Sequence, residues 1–98
     1  MKSVIEHIKS YVNKHLNQPI TLNDIASEIG YSKFYTSRIF KEVTGLSLFE
    51  YIRSERLLAS AFSLRNSEKK ILDIAFDFMF DSHEGFTRAF TNSFGITP

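Results

Sequence analysis

The chain contains no cysteine and no tryptophan, and only four glycines and two prolines among its 98 residues. Without cysteine there is no disulfide, no thiolate nucleophile and no cysteine-based zinc site. His7, His15 and His83 fall in no metal-ligand spacing and read as structural or surface residues, so neither a metal nor a cofactor is expected. No apolar run approaches the roughly 18 residues that span a membrane, and the opening MKSVIEHIKS lacks the apolar stretch of a secretory signal. A cytoplasmic protein with no membrane partner is the expectation. An excess of one charge is also missing: twelve Lys and Arg stand against eleven Asp and Glu. That balance alone argues neither for nor against a polyanionic partner. Catalysis finds no support, because no nucleophile beside a base, no evident carboxylate pair and no glycine-rich phosphate loop is present.

What the chain does have is apolar content of 43% with ten phenylalanines, enough to bury one small core. Charge is also unevenly spread. Residues 1–47 carry six Lys and Arg against four Asp and Glu (+2), and residues 48–98 carry six against seven (−1). Any nucleic-acid footprint should therefore be strongest in the first half.

Periodicity and punctuation predict helices throughout and no strand. Val4, Ile5, Ile8, Tyr11, Val12 and Leu16 follow the 3.6-residue repeat, with Ser3 and Glu6 read as a capping box, giving a first helix from Val4 to about Leu16. Pro19 stops it; Thr21 and Asp24 open a short second helix that ends at Gly30. Ser32 caps a third helix running to about Thr44 and closed by Gly45. Ser47 and Glu50 form another box that starts a long helix from Leu48 to about Leu64. The polar RNSEKK reads as a loop, ILDIAFDF as a short helix, and SHEGFTRAFTNSF as a last helix capped by Ser82 and ended by Gly95.

An internal echo organises these pieces. RIFKEVTG at 38–45 returns as RAFTNSFG at 88–95, Asp24-Ile25-Ala26 as Asp73-Ile74-Ala75, and Ser32 as Ser82. The offset is 49 in the first helix of each pair and 50 in the second, as a one-residue insertion in the second turn would produce. The chain thus holds two copies of short helix, turn and longer helix, joined by the Leu48–Leu64 segment. A short helix with a small Ala, a tight turn and a capped second helix is the helix-turn-helix arrangement, whose second helix enters the major groove. The expected fold is all-α, six to seven helices, with subdomains at 1–47 and 65–98 and a connector at 48–64.

In the third helix Thr36, Ile39, Phe40 and Val43 share the expected core face, which leaves Phe34, Ser37, Arg38 and Lys41 outward. In the last helix Phe86, Ala89, Phe90 and Phe94 are the expected core, with Glu84, Thr87, Arg88 and Thr91 outward and His83 and Gly85 beside them. Arg88 stands where Arg38 stood. An arginine can donate two hydrogen bonds to guanine, Glu84 can accept from cytosine, and Phe34 can lie against a thymine methyl. Serine and threonine hydroxyls and Lys41 suit phosphates. Plainer readings stand beside these: Arg38 paired with Glu42, Phe34 in the core, and Glu84 merely favouring its helix N-terminus.

The runs YSKFYTSRIFKEVTG, YIRSERL, ILDIAFDF, FDSHEGFTRAF and FGITP resemble the DNA-binding domain of the AraC/XylS family of bacterial transcription regulators, over nearly the whole chain from about Ile5. ILDIA followed by FDS and FTRAF is most similar to the Rob-like members, which carry this domain first and an effector-binding domain after it. The resemblance implies a monomeric unit whose two motifs occupy successive major-groove segments of promoter DNA. Family base contacts fall by position on Phe34, Ser37 and Arg38, and on His83, Glu84, Gly85 and Arg88, with Lys41 on backbone. The full candidate DNA-contacting set is Ser32, Lys33, Phe34, Ser37, Arg38, Lys41, Ser82, His83, Glu84, Gly85, Thr87 and Arg88. RNA polymerase is a further candidate partner, and a small-molecule effector is expected to act only through a domain outside this chain, which reads as a fragment.

Three departures from the family pattern carry expectations. Thr36 stands where Leu is usual, so its hydroxyl should bond back to the carbonyl four residues earlier. Met79 replaces a usual turn glycine, implying a distorted or differently taken turn. Thr91 replaces a usual Lys and, with Asp73, Asp77 and Asp81, makes the second motif electrostatically poor, so the first should dominate binding. A 17-residue connector spans about 25 Å, against about 34 Å between successive major-groove faces, which implies bent DNA or one reader only partly docked. The rival reading is a helical protein-interaction module with weak or lost DNA binding.

Overall fold

The computed structural model describes residues 2–98 and contains six helices, with no strand among the described residues: α1 (Lys2–Lys14), α2 (Leu22–Ile29), α3 (Lys33–Thr44), α4 (Leu48–Asn66), α5 (Ile71–Asp77) and α6 (His83–Phe94). The expected all-α architecture is the observed one. Among the described residues no helix is long and apolar enough to cross a membrane. Packing divides the chain into two compact units, up to Ile52 and from Arg53 to Pro98, with the division falling inside α4.

Three helix ends differ from expectation. Ser3 is already helical, the second residue of α1, so it does not serve as the cap. The apolar positions Ile5, Ile8, Val12 and Leu16 are nonetheless buried as their spacing demands. The helical ladder stops at Lys14, and Leu16 buries from the turn that follows. At the other end of the chain's long helix, Arg65 and Asn66 continue α4 for two residues past Leu64, and the Asn66 amide donates to the Phe62 carbonyl at 2.9 Å.

In the first unit, α1 packs on α2 and α2 on α3. Thr21 caps α2 reciprocally: its hydroxyl accepts from Asp24 N at 3.0 Å, and Asp24 accepts from Thr21 N at 3.0 Å. Ala26 is buried beside Ile25, which lets the helix pair close on Phe40, itself fully buried. The Tyr51 ring meets Phe40 at 5.3 Å between centroids and its hydroxyl accepts from Asn13 at 3.0 Å. Full burial of a side chain such as Phe40 stabilises by about 1.5–3 kcal/mol.

The second unit gathers Leu57 of α4, Ile74 and Ala75 of α5, and Phe86, Ala89 and Phe90 of α6, with Phe78, Phe80 and Phe94 packed against them. Phe80, Phe86, Phe90 and Phe94 form a chain of ring contacts with centroids 5.1, 5.7 and 4.6 Å apart.

The turns of the two motifs share a left-handed residue and one closing bond. Gly30 takes φ +80° and both its N–H and that of Tyr31 donate to the Ala26 carbonyl. Met79, 49 positions on, takes φ +69°, and Phe80 N donates to the Ala75 carbonyl at 3.0 Å. The second turn is taken differently, as expected: Met79 N donates to the Phe76 carbonyl at 3.1 Å where Gly30 N donates to Ala26, and α5 ends one residue earlier than α2 at the offset of 49. The methionine enters the left-handed region itself, at a strain of about 1–2 kcal/mol, and it is the one non-glycine among the described residues to do so. The extra residue lies after it, since two positions separate Gly30 from Ser32 and three separate Met79 from Ser82.

Candidate nucleic-acid interface

Both second helices begin on a serine. Ser32 accepts from Tyr35 N at 3.1 Å and Ser82 from Gly85 N at 3.0 Å, so each of these helices starts at a fixed rotation and the side chains of its first two turns are aimed by the same local device. Thr36 adds a second tie at the start of α3: fully buried, it donates its hydroxyl to the Ser32 carbonyl at 2.7 Å, the bond expected of a hydroxyl on the core face.

Burial on α3 sorts the residues as the register predicts, with one correction. Thr36 and Phe40 are buried and Ile39 is half-buried, but Val43 is 50% exposed. Val43 lies two residues before Gly45, in the last turn of α3, where the core no longer covers that face of the helix. Outward stand Lys33, Phe34, Ser37, Arg38 and Lys41. Phe34 is 75% exposed, which removes the reading of it as core. Arg38 is held by rings rather than by Glu42: its guanidinium carbon lies 5.6 Å from the Phe34 centroid and 5.9 Å from that of Tyr35. Lys41 is 3.8 Å from the Glu50 carboxylate. That carboxylate also accepts from Ser47 N at 3.0 Å. The Ser47 backbone bond foremost, then the Ser47 hydroxyl and Lys41, hold the Glu50 carboxyl below its ordinary range.

On α6, Phe86, Ala89 and Phe90 are buried and Phe94 half-buried, while His83, Glu84 and Arg88 are exposed. His83, Glu84, Thr87, Arg88, Thr91 and Asn92 line an open groove of about 500 Å³ along the outer face of this helix. Two members of the expected row behave differently from their partners. Gly85 is half-buried, and a side chain there would bring its Cβ to 3.1 Å from the Ser82 hydroxyl. Thr87 turns its hydroxyl inward, where Oγ1 is buried without a hydrogen-bond partner, so the part of Thr87 that faces the groove is apolar. Of the three acidic residues nearby, Asp77 is engaged by Lys69 at 2.9 Å, and that bond raises the Lys69 pKa; Asp73 and Asp81 stand exposed.

Two residues at these faces were not singled out by the outward register. Asn92 extends the α6 groove. Tyr35 sits beside the Phe34–Arg38 pair, and its ring meets Tyr31 at 5.0 Å. The signal for Tyr35 was present in the sequence, since an aromatic three residues before an arginine shares its helical face.

The chain can now be set beside known proteins. The sequence model of a helix-turn-helix domain family matches residues 25–98. Right origin-binding protein of Escherichia coli is 44% identical over 95 residues, covering 97% of this chain and 33% of that protein, so the chain spans about a third of that relative's length. The regulatory protein SoxS of Salmonella typhimurium is 39% identical over 97 residues, covering 99% of this chain and 91% of that protein. Among solved structures, a Chromobacterium violaceum transcriptional regulator described by its AraC-type DNA-binding domain superposes with a TM-score of 0.95 at 27% identity, over 99% of this chain and 87% of that one. With the duplicated motif, the capped second helices and these relatives in agreement, the chain belongs to the AraC/XylS family of helix-turn-helix transcription regulators, on the side of its Rob-like members.

Proposed function

We propose that the chain binds double-stranded promoter DNA sequence-specifically and so regulates transcription, with α3 and α6 as reading helices in successive major-groove segments and α3 dominant. Residues 1–47 and 65–98 act as two reading subdomains joined by 48–64, and effector sensing belongs to a further domain. The observation that carries this reading is the shared register of the two helices. Phe34, Lys33, Ser37, Arg38 and Lys41 stand outward on one, and His83, Glu84 and Arg88 on the other, above cores built at the same offset.

Dominance of the first reader follows from the chemistry of the two rows. Counterion release rewards each phosphate that a cation neutralises. The α3 row carries Lys33, Arg38 and Lys41, whereas the α6 row carries Arg88 alone beside Glu84, with Thr91 at the place of Lys41. Selection of bound sites from a random duplex pool tests the whole reading at once, because it reports binding, half-site spacing and the information each helix reads. On the selected site, Arg38→Ala should weaken binding by about 1–3 kcal/mol, roughly five- to 150-fold, if the guanidinium holds a guanine. Arg88→Ala should cost less; equal losses remove the asymmetry. A steep fall of affinity with salt marks phosphate neutralisation, and a flat response would point instead to an apolar protein-interaction module.

A further inference from the structure

We infer that Tyr35 and Phe34 are positioning residues for Arg38, holding its guanidinium in the free protein in the plane from which it meets a base. The inference rests on the proposed reading of guanine by Arg38 and deepens it. Arg38 is exposed, and an exposed arginine on an otherwise bare helix face samples many rotamers; fixing it on binding costs about 0.5–1.5 kcal/mol of entropy. Here two rings flank it. Phe34 precedes Arg38 by four residues and Tyr35 by three, the two spacings that place side chains on one helical face. The guanidinium carbon lies 5.6 and 5.9 Å from the two ring centroids, within the range of cation–π attraction. A planar guanidinium stacks on such faces while leaving its N–H edge free to donate.

The Tyr35 ring has support of its own. Tyr35 donates its backbone N–H to the Ser32 hydroxyl at 3.1 Å, and its ring leans on Tyr31 at 5.0 Å. Tyr31 thus steadies the Tyr35 ring, and Tyr35 with Phe34 flanks Arg38. The duplicate motif supplies the contrast. Fifty residues on, Glu84 and Gly85 occupy the places of Phe34 and Tyr35, and among the described residues no ring lies over Arg88. The second reader thus presents an arginine that must be ordered by DNA, and the first presents one already ordered.

Side-chain NMR of the free 98-residue chain reads the positioning without DNA. The Arg38 δ and ε protons should resonate upfield of those of Arg88 through ring currents. Tyr35→Phe should keep that shift, and Phe34→Leu with Tyr35→Leu should abolish it while circular dichroism shows the helices intact. Coincident Arg38 and Arg88 shifts in the unmodified chain overturn the inference. On a selected DNA site, the double Leu variant should lose about two- to five-fold in affinity for the guanine site, the range expected of an exposed cation–π contact. Its loss should be smaller on the same site with 7-deazaguanine at the contacted base, and Tyr35→Phe should bind as the unmodified chain does. Equal losses of the double variant on both sites overturn the positioning role. If instead Arg38→Ala itself leaves guanine preference unchanged, the reading of guanine by Arg38 fails, whatever the NMR shows.

Discussion

Replacing Thr36 by valine isolates what its hydroxyl contributes to the start of α3. Thr36 is fully buried and donates to the Ser32 carbonyl at 2.7 Å. That carbonyl also accepts the Thr36 backbone N–H at 2.9 Å. Valine therefore deletes one hydrogen bond without orphaning its acceptor, so the loss is the net contribution of a hydrogen bond, about 0.5–1.5 kcal/mol. A methyl takes the place of the hydroxyl in a water-free site and returns about 0.8 kcal/mol. The two nearly cancel, and Thr36→Val should lie within about 0.7 kcal/mol of the unmodified chain. Thr36→Ala loses the same bond and also a buried methyl with its cavity, about 0.5–1.5 kcal/mol more, for a total of about 1–3 kcal/mol. Urea denaturation at unchanged slope measures both, and about 1 kcal/mol corresponds to about 4–8 °C in melting temperature for a domain of this size. DNA affinity on a selected site should be unchanged in the valine variant, since the hydroxyl faces the core. If valine proved as costly as alanine, or if it weakened DNA binding tenfold, the hydroxyl would have a role beyond the helix start and the reasoning would fail.

Other perturbations address the turns, the caps and the charges. Gly30→Ala forces a Cβ into φ +80° with open space around it, so strain alone should destabilise the first motif by about 1–2 kcal/mol in thermal melts. Met79→Gly relieves similar strain at φ +69° but loses a half-buried side chain and loosens the unfolded chain, and should stay within about 1 kcal/mol of the parent. Gly85→Ala gains about 1 kcal/mol of helix propensity against a Cβ contact of 3.1 Å with the Ser82 hydroxyl. Displacing that cap forfeits about as much, and chemical denaturation should show little net change unless Ser82→Gly is combined with it, when the alanine should become stabilising. Because the Glu50 pKa is lowered by folding, its contribution is present above the ordinary carboxylate pKa and is lost as pH falls through the folded value. Glu50→Gln should flatten that acid limb of stability. The Lys69 pKa is raised chiefly by Asp77, with Asp73 adding to it, so that contribution is full below the ordinary lysine pKa and disappears as pH rises through the folded value; Asp77→Asn should shrink the alkaline limb.

Local chemistry decided by itself what the sequence made legible. Thr21 with Asp24, Ser32, Ser47 with Glu50, and Ser82 set helix starts, and Gly30, Gly45 and Gly95 set helix ends, through bonds spanning three to five residues. The duplication was legible for the same reason, since the serine cap and closing glycine of the longer helix recur at an offset of 50, Ser32 and Gly45 as Ser82 and Gly95. What neighbours cover a face is a different matter, because periodicity gives a direction around the helix and not the extent of the core in that direction. Val43 points with Phe40 yet lies half in solvent, and Phe34 is bare although its aromatic ring suited either side. Ser3 had the sequence of a cap and became the second residue of α1. The partner of Arg38 was a choice among neighbours on its own helix that spacing alone left open, since Glu42 and the rings of Phe34 and Tyr35 are all within reach, and it lies over the rings. The inward turn of the Thr87 hydroxyl, by contrast, depends on atoms brought from elsewhere in the chain, which no reading of α6 alone contains.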